Sequence, residues 1–329
     1  MTHRLFFVRI AAALITCMSL LPCAAQSQNY PARPITLVVP FPAAGPSDAL
    51  ARMIAQSMSE SLGKAVTVEN ATGAGGIVGR AKAARAPADG YTLLLDGIGA
   101  AVSATMNRKL PYDPHTAFDM VGGVANTPMV LVGRKDLPAK DIGELIRYIK
   151  DKKQSVSYGN GGVGSGSHLC GMLLMSALQI EMNMIQYRGA APAMLDVMAG
   201  RIDLLCDTPS TTAPPIRDGM IKGYAVTSKG RVGTLTELPS LHEAGVAGFD
   251  FSGWYAFMVP RGTPRPIVER LAAALRTTLK DPAVKKRFAE FGSEPASQEM
   301  ATPDAFASFY RAELSKWGAI VKANGVYID

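Results

Sequence analysis

The chain has 329 residues, 48% of them hydrophobic, with 34 Lys and Arg against 27 Asp and Glu. Such a length suggests about two domains, and the apolar content suffices for real cores, which excludes a disordered chain. The net charge of +7 is scattered, with small clusters only at 150–153 and 285–287 and no aromatic-interleaved basic stripe, so no nucleic-acid partner is expected.

In chain order, a leader comes first. His3, Arg4 and Arg9 form a short basic start, residues 10–21 are apolar, and Cys23-Ala24-Ala25 offers small residues for cleavage. This predicts a signal peptide over 1–25, cut after Ala25, and a periplasmic location. The apolar run is too short for a good membrane span. Leu20-Leu21-Pro22-Cys23 faintly resembles a lipoprotein box, but Pro22 directly before the cysteine argues against it. Cleavage removes Cys17 and Cys23, leaving Cys170 and Cys206. In an oxidising compartment two remaining thiols often pair; the alternative is two buried small hydrophobes, and both stay open at this point.

Next, strand and helix signals alternate. Residues 35–39 predict a strand, and Leu50, Ile54, Met58 and Leu62 at helical spacing predict a helix capped by Ser47 or Asp48 and stopped by Gly63. A strand at 66–69, a helix at 77–85 and a strand at 92–95 complete a β-α-β-α-β run, which implies a mostly parallel sheet flanked by helices. A second run follows. It has strands at 129–133, 156–158, 184–187, 202–206 and 224–227, with helices after Asp141 and at 167–178 and 191–199. Two such runs imply two α/β lobes. Extended residues 251–259 then precede helices that begin at Thr263-Pro264, Asp281-Pro282 and Thr302-Pro303, with proline pre-set for the first helical turn. These are expected to return to the first lobe. The expected division is 26–126 plus 252–329 for lobe 1 and 127–251 for lobe 2.

Three small-residue turns follow strands: 42–48, Gly73-Ala74-Gly75-Gly76, and 160–168. A turn feeding a helix leaves main-chain N–H groups free at the positive end of the helix dipole, which suits an anion such as a carboxylate. In open α/β sheets ligands sit at such strand ends. Any one turn alone is as well explained by turn geometry; three at equivalent ends favour a binding site.

Catalytic constellations are absent from the pattern. Gly159-x-Gly161-x-x-Gly164 matches a dinucleotide fingerprint, but Arg188 stands near where its acidic partner belongs. No Gly-Lys-Ser/Thr loop, G-x-S-x-G elbow or metal-ligand spacing occurs, so no cofactor or metal is expected. Ser165, Ser167, His168 and Asp207 suggest a hydrolase triad only awkwardly, because Ser167 and His168 are adjacent. Asp48 and Asp207 each admit two readings, helix cap or ligand contact.

The segment order resembles the tripartite tricarboxylate transporter receptors, or Bug proteins. Tyr30-Pro31-Ala32-Arg33-Pro34-Ile35 looks like the family's mature start. Pro40-Phe41 through Asp48-x-x-Ala51-Arg52 looks like its first ligand loop. Val68-Glu69-Asn70, Gly73-Ala74-Gly75-Gly76-x-x-Gly79 and Pro87-Ala88-Asp89-Gly90-Tyr91-Thr92 are close to its signature. Tyr158-Gly159-Asn160, Tyr187-Arg188-Gly189 and Arg201-Ile202-Asp203 fit its later motifs, so the resemblance spans the mature chain. It implies a two-lobed Venus-flytrap receptor (type II periplasmic-binding-protein fold), a monomer and not an enzyme. One small carboxylate is held in its cleft largely by loop backbone. Carried onto this chain, the contacts are Phe41, Ala43, Ala44, Ser47, Asp48, Gly75 and Gly76 from the first lobe. Ser165, Ser167, Tyr187, Arg188, Gly189, Ala190 and Asp207 come from the second. A family Gly-Gly pair is Ala44-Gly45 here, which narrows that loop. A subgroup with cysteines at positions 170 and 206 favours the disulfide. The implied partners are permease subunits of a tripartite tricarboxylate-type transporter, or alternatively a signalling protein.

Overall fold

The run Ile35–Val39 is apolar at every position but Thr36, which suits a strand covered on both faces. In the computed structural model, which describes residues 30–107 and 109–324, this run is β1, the interior of a six-stranded sheet. The expected leader and its cleavage site lie outside the described residues. Leu37 and Val39 of β1 join one core layer and Val38 the opposite one, as the two-residue period of a strand requires.

The first sheet holds β1, β2 (Val66–Asn70), β3 (Thr92–Gly97), β4 (Phe118–Pro128), β10 (Ser252–Pro260) and β11 (Glu294–Pro295), in the order β11-β4-β10-β3-β1-β2. The second holds β5 (Val130–Arg134), β6 (Ser157–Asn160), β7 (Asn183–Gln186), β8 (Leu204–Asp207) and β9 (Ile221–Val226), in the order β7-β6-β8-β5-β9. The two-lobed α/β architecture is present, but both sheets are mixed. β1 runs parallel to β2 and β3, and β6 to β7 and β8; β4, β5, β9, β10 and β11 pair antiparallel. Chain crossings between the sheets produce this, since β4 leads directly into β5 and β10 re-enters the first sheet from the second.

Helix α1 (Pro46–Leu62) begins one residue before Ser47, with Gly45 at the N-cap position. Ser47 and Asp48 therefore lie inside the first turn and do not cap it. Proline takes the first helical position, where its missing N–H costs nothing. Helices α2 (Ile77–Ala84), α4 (Ile142–Lys152), α5 (Gly166–Leu178) and α6 (Ala190–Met198) fall where periodicity places them, and Asp141 accepts the Glu144 N–H as a side-chain cap. Sequence patterning does not reveal α3 (Ile98–Met106) or β4, and it marks α7 (Pro209–Arg217) only through the capping reading of Asp207, whereas Thr208 takes the N-cap position. Helix α3 is too rich in small residues to show a stripe, α7 contains Pro214 and Pro215, and β4 carries Gly122 and Gly123. Gly122 has φ 156°, and a Cβ there would sit 2.7 Å from the main chain of Ala301, so only glycine lets that backbone approach.

Of the last helices, α8 (Arg265–Lys280) packs on α1 and β4, α9 (Pro282–Glu290) follows it, and α10 (Pro303–Asn324) packs on α3 and β4. On the α10 side the core is aromatic: Trp254 meets Phe306, Phe309 and Tyr310 edge-on or nearly so. The buried Glu313 carboxylate in this core accepts from both indoles, Trp254 Nε1 at 2.9 Å and Trp317 Nε1 at 3.1 Å. Cys170 of α5 and Cys206 of β8 are joined by a disulfide.

Candidate functional site

Because β1 and β3 run parallel, as do β6, β7 and β8, the helices that follow them all start at corresponding strand ends. The N-cap residues of five helices line one cavity: Gly45 of α1, Gly97 of α3, Ser165 of α5, Gly189 of α6 and Thr208 of α7. The cavity has a volume of about 490 Å³ and lies between the two sheets, with Trp254 and Tyr255 of β10 and Met129 between β4 and β5 in its wall. A larger depression of about 890 Å³ lies along α4 and α5 and shares no residue with the cavity. No strand-end turn opens into that depression, so the converging helix ends mark the smaller cavity as the site.

The first turn is held by a carboxylate behind it. Asp48 Oδ2 accepts from the Ala44 N–H (2.9 Å) and Arg52 Nε (3.0 Å), and Oδ1 accepts from Asn70 Nδ2 (3.0 Å). Asn70 Nδ2 also donates to the Phe41 carbonyl at 3.1 Å. Burial alone would raise the Asp48 pKa, but the hydrogen bonds from Arg52, Ala44 and Asn70 together hold it below the usual value. Ala44 has φ 61°, a left-handed conformation that favours glycine. Ser47 Oγ donates to the Tyr255 hydroxyl at 3.2 Å.

In the third turn, Ser165 Oγ accepts the His168 N–H (3.3 Å), and Ser167 Oγ accepts the Gly161 N–H (2.8 Å). His168 takes the Gly164 N–H on Nδ1 at 3.4 Å, and burial lowers its pKa. Ser167 Oγ contacts Ser165 Oγ and not the His168 ring, while Asp207 binds the Thr208 N–H, so no nucleophile–base–acid relay forms.

Phe41, Ala43, Ala44, Ser47, Ser165, Ser167, Arg188, Gly189, Ala190 and Asp207 all line the cavity. Four expected contacts do not. Asp48 faces the loop backbone as described. Gly75 and Gly76 follow β2 and are not part of the cavity wall. There the Gly75 carbonyl accepts from Arg80 Nη1 at 3.1 Å, and the buried Arg80 pairs with Asp96. Tyr187 turns its hydroxyl onto Asp196 Oδ2, 2.7 Å away. Sequence reading missed Gly97, Ile98 and Gly99. They follow a strand as the other turns do, so the same strand-end logic finds them once β3 is extended to Gly97. Thr127, Met129, Gly253, Trp254 and Tyr255 carry no local signal, because only the crossing of the chain between sheets brings them to the site.

Two α/β sheets whose helix N-termini converge on one cavity between them have the architecture of a solute-binding receptor of the periplasmic-binding-protein type. Residues 50–326 match the model of the tripartite tricarboxylate transporter family receptor, and the chain belongs to that family. It is 43% identical over 318 residues to a UPF0065 protein from the TAR-I ttuE-ttuC' intergenic region of Agrobacterium vitis, covering 96% of this chain and 92% of that one. BugT of Bordetella pertussis is 33% identical over 302 residues, covering 91% and 92%. Among solved structures, the periplasmic binding protein BugD superposes with a TM-score of 0.82 at 40% identity, covering 91% of this chain and 99% of its own. MatC of Rhodopseudomonas palustris, solved with bound malate, gives 0.81 at 32% identity, covering 89% and 100%. Rpa4515 of R. palustris, solved with adipate, gives 0.83 at 33% identity, covering 90% and 98%.

Proposed function

We propose that this chain is an extracytoplasmic receptor that captures a small carboxylate between its two lobes and delivers it to a membrane permease of the tripartite tricarboxylate type. The observation that carries the reading is the convergence of five helix N-termini on one cavity. Each presents main-chain N–H groups and the positive end of a dipole, and an anion there is stabilised by about 0.3–1 kcal/mol per helix. The bound malate and adipate of two relatives support the same ligand class. Arg188, an exposed residue, also borders the cavity. Among the described residues no helix is long and apolar enough to cross a membrane.

Capture works by hinge closure. Contacts to α1 and α3 on one side and to α5, α6 and α7 on the other are made together only when the lobes close, so the ligand stabilises the closed arrangement. Bonds to backbone and helix ends require no proton transfer, and the acid is released unchanged. A thermal-shift screen of mono-, di- and tricarboxylates and aromatic acids tests the reading. A ligand that binds only the native protein raises its melting temperature, and a hundredfold excess over Kd is worth about 2.7 kcal/mol. No shift across the panel would overturn it.

A further inference from the structure

One residue of the cavity wall keeps a buried polar atom without a partner. Asp207, at the end of β8, is 4% exposed and lines the cavity. Its Oδ1 accepts the Thr208 N–H at 2.7 Å, while its buried Oδ2 accepts nothing. Buried polar side-chain atoms are nearly always hydrogen-bonded, because an unmade bond forfeits the solvation that burial removed. None of the hydroxyls around it bonds Oδ2. Ser47 donates to Tyr255, Tyr158 donates to the Ser167 carbonyl at 2.7 Å, Ser165 and Ser167 contact each other, and Thr211 donates to the Thr208 carbonyl at 2.9 Å. Arg188, the cation of the same wall, makes no ion pair with Asp207. The cavity therefore has anion-seeking helix ends and one carboxylate oxygen that asks for a donor.

Building on the receptor reading above, we infer that Asp207 Oδ2 is the specificity-determining acceptor of the site, and that the ligand is a carboxylate bearing a hydroxyl or ammonium donor rather than a plain one. The ligand carboxylate lies toward the helix N-termini, and its O–H or N–H satisfies Oδ2. A plain dicarboxylate leaves Oδ2 unpaired or sets its second carboxylate against it. Sites built to bond a ligand donor reject the analogue lacking it far more strongly than apolar pockets reject a missing methylene.

Matched acids test this by calorimetric titration at pH 7.5: succinate against malate and aspartate, propionate against lactate, and 3-phenylpropionate against 3-phenyllactate. In the family of acids that fits, the donor-bearing member binds at least about tenfold tighter, a difference of about 1.4 kcal/mol. Asp207→Asn then reverses the preference for an ammonium-bearing acid and narrows it for a hydroxy acid, whose oxygen can accept from the new amide. The Thr208 N–H keeps the amide oxygen, so Nδ2 takes the place of Oδ2 and an acceptor becomes a donor. The variant binds the plain acid as well as or better than the wild type does, which also shows that its site is intact. Equal affinities within every pair that binds, or a preference unchanged in the variant, would overturn the inference and leave the receptor reading standing. Failure of every acid to bind would overturn both.

Discussion

Asp207 is unfavourable to the empty protein. Burial pushes its carboxyl up to about 6, opposed only in part by the hydrogen bond from the Thr208 N–H. The folded value lies above that of the unfolded chain, so the stability tied to this group is fully present below about pH 4 and is lost as pH rises through about 6. A shift of about two units corresponds to roughly 3 kcal/mol. Asp207→Asn should therefore raise the melting temperature of the ligand-free protein at pH 7.5 by several degrees, and the gain should vanish near pH 4. Scanning calorimetry of both proteins across that range checks it, and equal melting at pH 7.5 would refute it. Tyr158 and Tyr255, the titratable groups that feel Asp207, are both raised by burial and stay neutral throughout. His168 of α5 is common to both proteins, so its titration cancels. That Asp207 lies at a strand end was legible, because it directly follows an apolar run; that one oxygen stays unpartnered was not. Asp48 is the converse case. Its sequence position suggested a ligand contact, yet Asn70 and Arg52 arrive from β2 and its own helix to turn it into the support of the Ala44 loop.

Between elements, the two chain crossings are fastened by one hydroxyl. Met129 links β4 to β5, and Phe251 leads into β10. Thr227, just past β9, lies between them. Its N–H donates to the Met129 carbonyl and its own carbonyl accepts from the Phe251 N–H, both at 2.9 Å. Thr227 Oγ1 accepts the Met129 N–H at 2.8 Å and donates to the Phe251 carbonyl at 2.6 Å. The residue is fully buried. Thr227→Val keeps the shape and strands both main-chain groups, at a cost of about 1–3 kcal/mol for each. The urea midpoint should fall accordingly and the acid affinity should weaken with it, because the clasp sits where the lobes meet; an unchanged midpoint would show that the hydroxyl is dispensable. The sequence announced the helix starts through their Pro, Gly and Ser signals, since those act within a few residues. It could not announce this clasp, whose three members are separated by about a hundred residues and by part of β10's approach.

For the molecule as a whole, the two halves meet closely around the cavity. A Cβ on Gly99 would lie 3.3 Å from the Gly164 carbonyl, and one on Gly75 would lie 3.5 Å from the Val163 carbonyl. The first-sheet turns thus abut the second-sheet turn across the cleft. Gly99→Leu meets the buried Arg80 Nη2 at 3.1 Å as well as the second-sheet turn, so it should lower the melting temperature and prop the halves apart, and acids which stabilise the wild type should no longer shift that temperature while far-ultraviolet dichroism stays native. A wild-type ligand shift in this variant would argue against closure as the capture step. By itself the sequence determined the α/β alternation, the strand ends and the small-residue turns, because hydrophobic period and backbone freedom are local properties. The tertiary structure alone decided which turns share a cavity. The turn after β2 leaves Gly75 and Gly76 outside the cavity wall, while the turn after β7, also an edge strand, enters it, and the crossings at Met129 and Phe251 bring Trp254 and Tyr255 in. Proximity across a sheet depends on pairings between distant segments, and no local pattern encodes those.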